Sequence, residues 1–167
     1  MTMDIQLARI GSRLLPSQVA REWVKATMPN RILVVSNRVA QDHLRQTLIL
    51  QSAPRGIEAN VLTIKKMLAV YQDPEFDAYK PLLLTETAKD MAKLVKGGVD
   101  LQKVGINLGI LAFQDGMKML TDGVAVDKSE AKALSYLTDV ANLKVVIQEK
   151  PTDKPKDIKP FLDQLTF

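Results

Sequence analysis

The chain has 167 residues, of which 46% are hydrophobic and 25% charged, with no cysteine and a formal net charge of +4. That length suits one domain with a sizeable core, and the lack of cysteine excludes disulfides, thiolate chemistry and cysteine metal sites. The surplus of 23 basic over 19 acidic residues is small and dispersed, and only 5% of residues are aromatic, so the concentrated basic patch with stacking aromatics that a nucleic-acid partner needs is not expected.

The first strand is predicted at DIQLARI (4–10), followed by a polar turn and an amphipathic helix over 17–27. Val19, Trp23 and Val24 fall at helical spacing there, and Pro29 lies just past the end. RILVVS (31–36) is a continuous apolar strand of the kind buried in a parallel sheet. Asn37 is expected to cap a helix over 39–51 with Val39, Leu44 and Leu48 facing inward. SAPRG (52–56) reads as a turn, EANVLTI (58–64) as a strand, 65–71 as a short helix and 73–81 as a loop.

LLLTE (82–86) is a buried strand, and Thr87 can cap a helix that runs to Lys96 and stops at Gly97-Gly98. KVGINLGILAF (103–113) holds the next strand and a glycine-bearing turn. DGVAVDK (122–128) holds another short strand, 129–137 a helix and KVVIQE (144–149) a last strand. The segment from about 150 is expected to be loose, with a short helix near 160–165 and a lysine cluster (Lys150, Lys154, Lys156, Lys159) that reads as solvated tail. Alternation of about six or seven strands with helices predicts one α/β domain, an open, mostly parallel sheet with helices on both faces.

The longest apolar stretch, 108–113, is broken by Gly109 and falls far short of the ~20 residues of a membrane span. Asp4, Gln6 and Arg9 stand where a signal peptide would be apolar. A cytoplasmic protein without direct membrane insertion is therefore expected. No feature fixes an oligomeric order, and a homo-oligomer is compatible with the chain.

Ligands of such sheets lie beyond the carboxyl ends of the strands. The residues there are Gly11, Ser12, Arg13 and Pro16 after the first strand, Asn37 after the second, Thr85 and Thr87 after the fourth, and Asn107, Gly109 and Phe113 after the fifth. Arg13 offers a forked donor for phosphate, and the helix beginning near Ser17 offers free N–H groups. The other reading is that Arg9 and Arg13 pair with carboxylates at the sheet edge and Ser17 is only a cap. No phosphate-loop or dinucleotide fingerprint is present. The one histidine, His43, lacks metal-ligating company, so neither metal nor cofactor is expected.

The stretches LARIGSRLLPSQVAREWVKA, NRILVVSNRVAQDHLRQTLILQSAPRG, DMAKLVKGGVDLQKVGINLGILAFQDG and VAVDKSEAKALSYL, with PTDKP near the end, together resemble the IIB subunits of the mannose/fructose/sorbose class of the bacterial phosphoenolpyruvate-dependent sugar phosphotransferase system. The resemblance covers almost the whole chain. It implies an open α/β sheet, a IIA domain as phosphoryl donor, and membrane subunits IIC and IID that hold the sugar.

The family's first loop reads like R-I-D-x-R-L-[IL]-H-G-Q-V. Its histidine accepts the phosphoryl group, and its arginine steadies the charge in transit. Arg9, Ser12, Arg13, Leu14, Gln18 and Val19 fit that pattern. Gly11 stands in place of the usual aspartate, Pro16 in place of the phosphohistidine and Ser17 in place of the following glycine. Asn37 replaces a common aspartate, Arg55 the second proline of an APPG turn, and Ile110 a glycine after the fifth strand.

Proline offers neither a nucleophile nor an N–H. The resemblance therefore implies a IIB-type pseudoenzyme, a binding or regulatory paralogue with a phosphate-binding loop at Arg9, Gly11, Ser12, Arg13, Ser17 and Gln18. Two alternatives stand beside it: a working subunit with a displaced acceptor, for which His43 is the sole imidazole, and a binder of a small anion at Arg9 and Arg13.

Overall fold

Apolar runs set the central strands. The computed structural model describes residues 2–12 and 18–167; residues 13–17, which include Arg13, Pro16 and the expected cap Ser17, lie outside the described residues. Strands β1 (Leu7–Ile10), β2 (Arg31–Val35), β3 (Glu58–Leu62), β4 (Pro81–Thr85), β5 (Ile106–Leu108), β8 (Val145–Ile147) and β9 (Lys156–Asp157) form one sheet in the order β3-β2-β4-β1-β5-β8-β9. Every neighbouring pair is parallel except β8 with β9. Strands β6 (Lys118–Thr121) and β7 (Val124–Val126) form a separate antiparallel pair.

The pleat sorts the core into two layers. Leu7, Ile32, Val34, Leu82 and Leu84 face one side, where they meet Trp23 and Val24 of helix α1 (Gln18–Thr27), Val39 of α2 (Asn37–Ala40) and Ile49 of α3 (His43–Gln51). Ala8, Ile10, Leu33, Val35 and Leu83 face the other side. They pack on Met67 of α4 (Ile64–Gln72), Met91 and Leu94 of α5 (Ala88–Lys96) and Leu134 of α6 (Lys128–Ser135). Each fully buried aliphatic chain contributes about 1.5–3 kcal/mol of transfer free energy. The expected α/β sheet with helices on both faces is the architecture found.

The helix expected over 39–51 is two helices. Ser36, not Asn37, is the first cap, its hydroxyl accepting from Val39 N–H at 3.2 Å. Asp42 caps the second, accepting from Arg45 N–H at 3.1 Å. The restart rotates the inward stripe, so Ile49 is buried while Leu44 and Leu48, expected inside, are 70% and 54% exposed.

Two other expectations also change. The helix expected over 129–137 starts one residue earlier, at Lys128 behind the cap Asp127, and passes into a π-helical turn (Tyr136–Val140) at its end. The tail expected to be loose carries β9 and buries Ile158 fully, while the short helix expected near 160–165 is found as α7 (Lys159–Asp163).

Thr87 caps α5 as expected, accepting from Asp90 N–H at 3.1 Å. The helix then ends through Gly98 at φ +111°, backbone that a side chain would strain. No helix among the described residues is long and apolar enough to cross a membrane.

β1 lies between β4 and β5. The chain leaves β1 for α1 on one face and leaves β4 for α5 on the other. A cleft opens at the carboxyl ends where the two connections part.

Candidate functional site

That cleft is a groove of about 690 Å³. Ser12 follows β1 on its floor, Ser36 and Asn37 follow β2, and Glu86 follows β4; α5 supplies Lys89, Asp90 and Lys93 along one wall. Arg38 and Arg45, from α2 and α3, stand on the opposite side.

Glu86 is the buried anchor of the Arg38/Arg45 side. Its Oε1 accepts from Ser36 Oγ at 3.1 Å, Arg38 Nη2 lies 3.2 Å from both carboxylate oxygens, and Arg45 Nη2 donates to Oε2 at 3.1 Å. A carboxylate this buried is tolerated because two guanidinium groups and a hydroxyl replace its water.

Glu130 plays a different part on the opposite wall. Its oxygens accept from Ala88 N–H at 2.8 Å and Lys89 N–H at 3.1 Å, which places a resident anion on the first turn of α5. The sequence D-K-S-E over 127–130 has the spacing of a capping box, in which the glutamate turns back on its own helix. Here Asp127 caps α6 by accepting from Glu130 N–H at 2.7 Å, and the Glu130 side chain crosses to α5 instead.

Burial pushes the Glu130 carboxyl above the ordinary glutamate value, opposed by the two amides of α5. Burial likewise raises Asp90, with the Thr87 hydroxyl opposing it. The amide of Glu130 and the Ser129 hydroxyl hold Asp127 below its ordinary value.

Glu130→Ala is expected to lose about 1–3 kcal/mol at neutral pH, because two α5 amides lose their acceptor. The folded value of Glu130 lies above the unfolded one, so the native state binds its proton more tightly. Its contribution is therefore largest below the model-compound value of 4.5 and declines as pH rises through the raised value. Urea denaturation of both proteins at mildly acidic and neutral pH should show a larger difference at acidic pH.

Arg9 lies behind the groove, not in it. Its Nη1 donates to Asn107 Oδ1 and to Gln148 O (2.9 Å); its Nη2 donates to Glu149 O (3.1 Å) and lies 3.4 Å from Glu149 Oε2. The guanidinium stands over Trp23, 5.4 Å from the ring centroid, and Trp23 Nε1 also donates to Glu149 O at 2.9 Å. Burial pushes Arg9 below the ordinary arginine value, and Glu149 pulls it back. Of the two readings of Arg9, pairing with a carboxylate at the sheet edge is the geometry found.

Gly109 leaves room for Arg9: a Cβ there would press directly on Arg9 Nη2. Asn107 is buried and donates to Gln148 Oε1 at 3.2 Å. Thr85 is fully buried, its hydroxyl donating to Thr87 O at 2.9 Å.

The described entry to the first loop is anchored. Gly11 N–H donates to Thr85 O at 3.0 Å, Ser12 N–H to Ile110 O at 2.9 Å, and Ala112 N–H to Ser12 Oγ at 2.8 Å. Gln18 opens α1 beyond the loop. Asn37 Oδ1 accepts from Ile64 N–H at 2.9 Å, which ties α2 to α4.

Among the expected residues, Ser12, Asn37 and Thr87 line the groove; Phe113 is 57% exposed and does not. His43 is exposed at the start of α3 and is not part of the groove lining. No metal-ligating cluster occurs among the described residues. The sequence reading missed Glu86, Arg38, Arg45, Glu130 and Glu149. The capping-box spacing was the only local sign of any of them.

The family model for the sorbose-subfamily IIB component of the phosphotransferase system matches residues 5–167. The chain is 32% identical to the fructose-specific EIIB component of Bacillus subtilis, over 98% of this chain and 99% of that one. It is 38% identical to the mannose-specific EIIAB component of Escherichia coli over 90% of this chain, but that match spans only 46% of the relative. The crystal structure of the IIBSor domain of the sorbose permease from Klebsiella pneumoniae superimposes with a TM-score of 0.93 at 30% identity, covering 99% of both chains.

Proposed function

The chain belongs to the sorbose subfamily of phosphotransferase-system IIB components, and from that membership we propose that it keeps a IIB component's docking role without relaying phosphoryl groups. The observation that carries this reading is Pro16, in the loop position where the family pattern puts the phosphohistidine. A phosphoryl acceptor needs a nucleophilic lone pair, and the proline ring has none to give. Ser17, the next residue, has a hydroxyl but no adjacent base in the sequence to activate it.

The rest of the chain supports the same reading. Its only histidine, His43, lies outside the groove lining. Three of the groove's four acidic groups are engaged: Glu86 with two arginines, Glu130 with the amides of α5, and Asp127 with the cap of α6.

The partners that follow are a IIA domain and the IIC/IID membrane subunits, met at the cytoplasmic face. The protein is then a regulatory or competing paralogue of sugar uptake, touching the membrane only through those subunits.

The test is phosphorylation by phosphoenolpyruvate, enzyme I, HPr and a IIA domain, read by intact mass spectrometry without acid. The unmodified protein is expected to gain no phosphoryl group. Labelling that vanishes in His43→Ala would establish a displaced acceptor and overturn the proposal, as would labelling that survives that change.

A further inference from the structure

The Arg38–Glu86–Arg45 cluster is built in a way that a surface ion pair is not. Exposed pairs hold two flexible chains by one weak contact. Here the carboxylate is buried and fixed by Ser36, and it gathers two guanidinium heads from two different helices. Arg38 is 77% exposed along its side chain and Arg45 35%, so both heads reach solvent at the groove. Each spends its Nη2 on Glu86, and among the described residues neither side chain makes another hydrogen bond. The remaining N–H donors are in place for a further acceptor. Two arginines over one carboxylate leave a net positive charge at this end of the groove, while on the facing wall Lys89 and Lys93 stand among Asp90, Asp127 and Glu130.

A phosphate monoester fits this end of the groove. It carries about −1.5 to −2 charge at neutral pH and three acceptor oxygens, and paired arginine forks match that geometry. Glu86 holds the heads in advance, which lowers the ordering cost of binding.

Three further lining residues suit a polyol. Asp90 offers a carboxylate that only a donor such as a hydroxyl can meet. Asn37 keeps its amide N–H groups because its oxygen is taken by Ile64 N–H, and Gln114 offers both a donor and an acceptor. The groove's 690 Å³ lies within the range of small-molecule sites, roughly 300–1,000 Å³.

We propose that this groove binds a sugar phosphate, with the phosphate on Arg38 and Arg45 and the hydroxyls on Asp90, Asn37 and Gln114. The inference deepens the relay-deficient reading by giving the groove a ligand, the class of molecule that a sugar phosphotransferase reaction produces.

The test is calorimetric titration of the full chain, with no phosphoryl donor present, by fructose 6-phosphate, mannose 6-phosphate and N-acetylgalactosamine 6-phosphate, with the free sugars and inorganic phosphate as references. At least one ester is expected to bind about tenfold or more tightly than inorganic phosphate, with no binding of the free sugars. Arg38→Gln with Arg45→Gln should weaken that ester about tenfold or more.

Lys89→Gln with Lys93→Gln, on the exposed side of α5, should weaken it several-fold and leaves the Glu86 cluster intact, so a folding defect in the first variant does not decide the result. Absence of binding by all three esters overturns the proposal. So does equal affinity for inorganic phosphate, or affinity unchanged in both double variants. Because no donor is present, these outcomes stay separate from the phosphorylation result.

Discussion

Pro16→His is expected to turn a chain that gains no phosphoryl group from phosphorylated IIA into one that gains a single group. The change supplies the missing atom: an imidazole nitrogen nucleophilic at neutral pH whose phosphoryl adduct forms without a further base. Its surroundings are suited to receive it. On the entry side Gly11 and Ser12 are tied to Thr85 and Ile110, and on the exit side α1 begins at Gln18. Arg13 stays at its position in the sequence pattern, where the proposed reading has it meet the phosphoryl charge.

Removing a proline also frees backbone, which lowers stability only slightly, by about 0.4–1 kcal/mol. Intact mass spectrometry of wild type and variant, run side by side with the same donors, reads the outcome. If neither protein is labelled, the departures at Gly11 and Ser17 have cost the loop more than its acceptor. Pro16→His combined with Gly11→Asp and Ser17→Gly then separates a lost loop from a lost docking face.

What the sequence disclosed was whatever depends on neighbours along the chain. The runs ILVV (32–35) and PLLL (81–84) are apolar at every step, so their burial on two faces and their parallel pairing were readable. Thr87 sits one residue before its helix, and its cap was readable too. The helix over 39–51 was misjudged because Leu44 and Leu48 repeat at four residues like an inward stripe, while Asp42 restarts the helix and turns them out. The tail was misjudged because its lysines and prolines mask one buried residue, Ile158.

At the site, Ser12 and Asn37 were legible from where strands end. Glu86, Glu130 and Glu149 were not, because each acts on a partner far away in sequence: Arg45 lies 41 residues from Glu86, Ala88 42 from Glu130, and Arg9 140 from Glu149. A glutamate's local context does not show which distant cation or amide it will meet.

The largest loss of stability is expected at Arg9. The side chain gathers Asn107, two carbonyls of 148–149 and the Glu149 carboxylate around one guanidinium stacked on Trp23. Arg9→Ala leaves these acceptors facing an apolar void, and Asn107 is only 3% exposed. Leaving buried acceptors unpaired costs about 1–3 kcal/mol each at most. Glu149 is one-third exposed and recovers water, which limits its share. A total of about 2–4 kcal/mol is expected, read as a shift in the urea midpoint.

Arg9→Lys should recover less than half, since one ammonium cannot reach acceptors that a planar fork spans. Gly109→Ala gives an independent check, because its Cβ would press on Arg9 Nη2. That substitution should destabilise the wild type by about 1–3 kcal/mol but cost far less once Arg9 is alanine, so the two losses should be strongly sub-additive. Additive losses, or an Arg9→Ala cost below about 0.5 kcal/mol, would mean that β1, β5 and the segment after β8 hold together without the guanidinium. The described entry to the first loop would then depend on the Gly11 and Ser12 contacts alone.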